Sequence, residues 1–110
     1  MNAIDLRPGW QSDHPLAPAE RLFRQMAAER LDILSRAWAR LDSGQQVREA
    51  MFDIHHIAHM IAGTAGSLGH ARIGLHAAEV ERLSLEDAGR EALLHALRPL
   101  ISGLADLLED

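Results

Sequence analysis

Four stretches of apolar residues at three- and four-residue spacing, parted by short glycine-bearing breaks, restrict this chain to one class of fold. Pro18 suits the first turn of a helix and Glu20 complements its N-terminus. Leu22, Phe23, Met26, Arg30, Ile33, Leu34, Ala37 and Leu41 keep the helical period, with Arg30 the polar exception at the edge of the stripe. Asp42-Ser43-Gly44 reads as a stop and restart, Gly44 closing one helix and Ser43 or Asp42 capping the next. Val47, Ala50, Met51 and Ile54 then lead into a second helix that ends or weakens at Gly66-Ser67-Leu68-Gly69. In a third, Ile73, Ala77, Val80 and Leu83 or Ser84 face inward, while Gly74, Ala77 and Ala78 let a neighbouring helix come close. Ser84-Leu85-Glu86-Asp87 has the spacing of a capping box, and Gly89 blurs the boundary that follows. Leu93, Leu94, Leu97, Leu100, Ile101, Leu104, Leu107 and Leu108 mark a last helix, which Pro99 should bend. No alternating β-branched run points to a sheet. The expected fold is all-α, an antiparallel up-down-up-down four-helix bundle over residues 18–110. Residues 1–17 form an irregular lead-in, with a short turn at Ala3–Leu6 and the Trp10 indole expected to pack on the bundle.

Composition narrows the function classes. The 110 residues suit a single domain, and 47% apolar with 25% charged residues is ordinary for a folded one. A formal net charge of −5 with no basic stripe argues against nucleic acid as a partner. No apolar run nears the roughly 20 residues that span a bilayer. Met1–Trp10 contains Asp5 and lacks an apolar core, so it does not read as a signal peptide. The absence of cysteine excludes disulfides and thiolate zinc sites. The expectation is a soluble cytoplasmic domain with no membrane contact, a monomer or a modest homodimer.

The centre of the chain is Ile54–Gly69, where two periodicities run together. Ile54, Ile57, Ala58, Ile61, Ala65 and Leu68 form an apolar stripe. His55, His59, Ala62, Gly63 and Gly66 form a neighbouring face with imidazoles at its start and almost no side chain at its end. Each glycine inside a helix costs about 1 kcal/mol against alanine, and this helix is expected to contain both Gly63 and Gly66. The pattern fits an exposed, reactive His59, with the glycines clearing space for a docking partner.

Seven histidines raise the question of a metal. His55 and His59 share a helix face at workable ligand spacing, yet zinc needs further ligands from elsewhere. A di-iron bundle needs paired Glu-x-x-His motifs, and the nearest approach, Asp53-x-x-His56, has no counterpart. His55, His56, His70 and His76 are expected to be idle structural or surface residues, although His55, one turn before His59, could still tune its proton affinity or touch a partner; His14 and His95 are expected to be incidental. A neutral imidazole, whose ordinary pKa is about 6.5, is a nucleophile near neutrality and can take and release a phosphoryl group. Phosphoryl transfer depends on positioning and charge stabilisation, which a bare helix face supplies poorly, so a partner must bring the remaining parts. No serine or carboxylate is placed to form a hydrolase triad with His59.

The run His59-Met60-Ile61-Ala62-Gly63-Thr64-Ala65-Gly66-Ser67-Leu68-Gly69 resembles the signature of histidine-containing phosphotransfer (HPt) domains, His-x-Leu-Lys-Gly-[Ser/Thr/Ala]-[Ala/Ser]-x-x-[Leu/Ile/Phe]-Gly. Gly69-x-x-x-Ile73-x-x-x-Ala77-x-x-Val80-Glu81 is similar to the family's next helix, which leads to an acidic residue. The resemblance implies that His59 accepts the phosphoryl group, on Nε2, and that Gly63 admits a response-regulator receiver domain. It further implies exchange between a histidine kinase or hybrid kinase and the receiver's aspartate, in a phosphocarrier rather than a turnover enzyme. No cofactor of its own is implied, the Mg²⁺ and its acidic pocket belonging to the receiver. Ala62 departs from the pattern, since the family carries Lys there; Arg72, Arg24 or Arg21 are the candidates to reach the site instead. The alternatives are a degenerate HPt-like module that docks a receiver or kinase without transfer, and a metal-binding helical bundle.

Overall fold

The computed structural model describes residues 14–109, so the expectations for Ala3–Leu6, Trp10 and most of the lead-in lie outside the described residues. Four helices follow one another: α1 (Ala17–Ser43), α2 (Val47–Thr64), α3 (Ala71–Leu85) and α4 (Arg90–Glu109). Each packs on its chain neighbours and α4 closes back on α1. Cross-helix pairs run antiparallel: Arg40 meets Asp53, His55 meets Ser84, and Trp38 donates to the Leu94 carbonyl while Arg24 reaches that of Leu107. This is the four-helix bundle that the apolar spacing predicts.

The core is the apolar stripe of each helix. Ile54, Ile57, Ala58, Ile61, Ala65 and Leu68 are all buried, as are Ile73, Ala77 and Val80 and the expected leucines of α4 except Leu108. Five of the eight residues expected on the α1 stripe, Phe23, Arg30, Leu34, Ala37 and Leu41, are buried, and Met26 and Ile33 are half-buried. Ala17, Glu20, Phe23, Ala27, Arg30, Leu34, Ala37 and Leu41 turn inward, while Leu22 is exposed. Two polar groups therefore lie on the buried line of α1. Glu20 is held by Arg24 at 2.7 Å and His70 at 2.9 Å. Arg30 lies over the Phe23 ring at 5.9 Å, where burial pulls its pKa below the ordinary value.

The breaks deviate in instructive ways. Gly44 closes α1 at φ 78°, a left-handed position suited to glycine, and Gln45 N–H reaches back to the Arg40 carbonyl. Ser43 does not cap α2; it lies inside α1 and gives its hydroxyl to the Arg40 carbonyl, while Gln46 precedes α2 without a side-chain cap. Nor does Ser84 cap α4, because its hydroxyl is taken by the Glu81 carbonyl within α3. The turn is made instead by Asp87 at φ 53° and Gly89 at φ 101°. Pro99 stands within α4 on its exposed side, where solvent can satisfy the carbonyl left without a donor.

At the α2–α3 junction, Gly66–Leu68 forms a single 3-10 turn closed by Gly69 at φ 90°. Gly66 is thus outside the helix, contrary to expectation, and only Gly63 lies within it. Gly74 allows α3 to approach here: a Cβ on it would stand 3.3 Å from Gly66 N and 3.6 Å from the Ala65 Cβ. Ala78, expected in the same role, is exposed.

Candidate functional site

The outer face of α2 carries Phe52, His56, His59 and Gly63 in line, at helical spacing, and all four are exposed. His55 and Ala62 stand beside that line and are half-buried against the bundle. The His59 side chain is 68% exposed. A Cβ added at Gly63 or Gly66 would meet nothing within 4 Å, so the surface one turn beyond His59 is open to its backbone.

Packing of α3 on α2 brings Glu81 to this face. Its carboxylate lies 2.5 Å from His59 Nδ1. An ionised carboxylate only accepts, so Nδ1–H donates to Glu81 and the lone pair of the neutral ring resides on Nε2. That nitrogen has no protein partner among the described residues. One turn earlier, the His55 ring lies nearly parallel to that of His59, with centroids 6.2 Å apart, and its Nδ1 is 3.0 Å from Ser84 Oγ. The site therefore couples a fixed tautomer, an exposed imidazole whose Nε2 carries the lone pair, and a bare stretch of backbone one turn beyond it.

Of the five residues expected at the site, His59, Gly63 and Gly66 are exposed and His55 and Ala62 half-buried, Gly66 lying in the 3-10 turn and not in α2. Sequence reasoning did not assign Glu81 a role, even though it stood at the acidic end of the run from Gly69. Its relation to His59 depends on how two helices align, which the spacing along either one does not reveal. Among the described residues, none of the three arginine candidates makes a hydrogen bond or ion pair with His59 or Glu81. Arg24 is committed to Glu20 and the Leu107 carbonyl. Arg72 stands nine residues before Glu81 on α3, about 13 Å of helical rise away. Arg21 is exposed at the start of α1, a helix that packs on α2 and α4.

The other histidines divide. His70, expected to be idle, is 5% exposed; Nε2 lies 2.9 Å from Glu20 and the ring stacks on Phe23 at 5.2 Å. It is a buried tie between α1 and the start of α3. His56 stacks on Phe52 at 5.9 Å, and His14 Nδ1 accepts the Leu16 N–H. Among the described residues no group of three or more His, Cys, Asp or Glu side chains could hold a metal ion. No described helix is long and apolar enough to cross a membrane.

A family model described as "Hpt domain" matches residues 21–110, which includes all four helices apart from the first turn of α1. No curated protein and no solved structure matches the chain.

Proposed function

The chain belongs to the Hpt domain family, whose members take part in histidine phosphotransfer in two-component signalling, and from that membership we propose a phosphorelay intermediate that carries its phosphoryl group on His59. The observation that carries the proposal is the exposed His59 ring with Nδ1 held by Glu81 and Nε2 unpartnered. The Nε2 lone pair attacks the phosphorus of a receiver's aspartyl phosphate. The N–P bond forms as the acyl phosphate P–O bond breaks, and that electron pair returns to the aspartate carboxylate. The proton on Nδ1 stays in the hydrogen bond to Glu81, whose charge offsets the positive charge arising on the phosphorylated ring. Transfer in the other direction reverses the same steps, and the receiver domain of a hybrid kinase loads the ring by the same attack on its own aspartyl phosphate.

Gly63 and Gly66 leave room for the receiver to bring its reacting aspartate within reach of Nε2. His55 and Ala62 flank that approach. Charge stabilisation by Mg²⁺ is assigned to the receiver's acidic pocket. The role is that of a cytoplasmic phosphocarrier rather than of an enzyme turning over a free substrate.

The test is transfer from phosphorylated receiver domains in the presence of Mg²⁺, comparing the wild type with His59→Gln. Acid-labile, base-stable label on the wild type alone is the expected result. Receiver binding without label on either protein would instead support a second reading, a docking module without transfer. The observation in favour of that reading is Ala62, which puts a methyl group where the family signature has a cation.

A further inference from the structure

All eleven basic residues of the chain are arginines, and among the described residues none of them contacts the His59 ring or Glu81. Arg82, adjacent to Glu81 in sequence, is held on the outer side of α3 by Glu79 and Glu86. A phosphoryl group on Nε2 adds a charge of about −1.5 to −2 beside the Glu81 carboxylate. The site as it stands gathers negative charge without an arginine or lysine to answer it.

Two further imidazoles on this surface can become cations: His56, whose ring stacks on Phe52, and His55, whose ring stacks on that of His59 itself. His55 lies one turn before His59, with its ring inclined by only 17° to that of His59. The Ser84 hydroxyl has a single proton, which it donates to the Glu81 carbonyl at 2.7 Å. Its oxygen must therefore accept from His55, 3.0 Å away, so His55 Nδ1 carries a hydrogen. This leaves His55 Nε2 as the nitrogen that gains or loses the proton. When neutral it presents a lone pair; when protonated it presents an N–H donor. The titratable and charged groups around His55 are His59 and His56 on its own helix, and Glu81 with the Arg82–Glu79–Glu86 cluster on α3. The one permanent cation among these, Arg82, is held by Glu79 and Glu86.

Resting on the phosphorelay reading above, we infer that His55 is the proton-switched counter-charge of phosphorylated His59. A solvent proton binds His55 Nε2 as the phosphoryl group arrives, and the new N–H donates to a phosphoryl oxygen. No bond to phosphorus changes in this step, and the proton returns to solvent when the phosphoryl group leaves. The protonated ring binds the phosphoryl group, so the extra stabilisation is present at the lower end of the imidazole range and is lost as pH rises through it. Phosphoryl retention by the domain thereby becomes sensitive to pH, greater at the lower pH than at the upper.

The test uses phosphoramidate as donor, which removes any pH dependence of a receiver, and phosphorus NMR to read the lifetime of phosphorylated His59. The ratio of wild-type to His55→Asn lifetimes should be about fivefold near the lower pH and approach unity at the upper one, the scale of a screened ion pair. His55→Lys should hold the long lifetime across the whole range, and Ala62→Lys should restore it in the His55→Asn background. In the wild type, the His55 ring-nitrogen resonances should move toward their protonated positions on phosphorylation at constant pH. A ratio that does not vary with pH, or His55 resonances that do not move, overturns the inference and leaves the phosphorelay reading in place. Absence of phosphorylation on the wild type at every pH overturns both.

Discussion

Gly63 separates docking from folding, because its substitution should move the two in opposite directions. A Cβ at this position meets nothing within 4 Å, and the residue sits in the last turn of α2. Glycine in a helix interior costs about 1 kcal/mol against alanine, and roughly half of that applies so close to the helix end. Gly63→Ala should therefore stabilise the domain by about 0.5 kcal/mol, or raise Tm by about 2–4 °C for a chain of this size. The same methyl group stands on the surface proposed to meet the receiver. Overpacking a close interface costs about 1–3 kcal/mol, so Kd for a receiver should rise at least about fivefold, and Gly63→Arg should abolish binding. Thermal unfolding and titration calorimetry read the two effects independently. Gly74→Ala provides the contrast, since its methyl group would stand 3.3 Å from the backbone nitrogen of Gly66. There the helix-propensity gain is outweighed by displacement of a packed backbone, and Tm should fall. A lower Tm for Gly63→Ala would refute the open-space argument. Unchanged receiver binding by Gly63→Arg would refute the docking surface.

Two further substitutions address the polar ties. Glu81→Gln keeps an acceptor for His59 Nδ1–H but removes the charge, whereas Glu81→Ala removes both. Hydrogen bonds to charged groups contribute about 1.5–3 kcal/mol, a figure to be reduced where solvent screens the pair. Single-turnover transfer should therefore slow about tenfold in Glu81→Ala and less in Glu81→Gln; equal rates for all three proteins would remove Glu81 from the mechanism. His70→Ala deletes a buried ring that both stacks on Phe23 and bonds Glu20. It should destabilise the domain by about 2 kcal/mol in urea unfolding, and a wild-type midpoint would show that the tie contributes nothing.

The helices, their order and most of their buried residues were legible in the sequence, because helical periodicity is a local property. Ile54, Ile57, Ala58, Ile61, Ala65 and Leu68 face inward for the same reason that His59 and Gly63 face outward: each helical residue turns by a fixed angle from the last. His59 was marked by its own neighbours along one face and by a linear signature. The first misreadings were also local. Ser43 and Ser84 are good caps by type, but each hydroxyl found a carbonyl within its own helix first.

Tertiary packing decided the rest. Glu81 lies 22 residues from His59, Ser84 lies 29 from His55, and Glu20 lies 50 from His70. No period in one helix specifies which side chain of another will stand opposite, because that depends on axial register and on how closely the helices approach. Here the register of α3 on α2 follows from the 3-10 turn at Gly66 and the close approach at Gly74. The sequence by itself determined a bundle with a histidine on its surface. The contact between two helices determined which nitrogen of that histidine carries the proton and which keeps its lone pair without a protein partner.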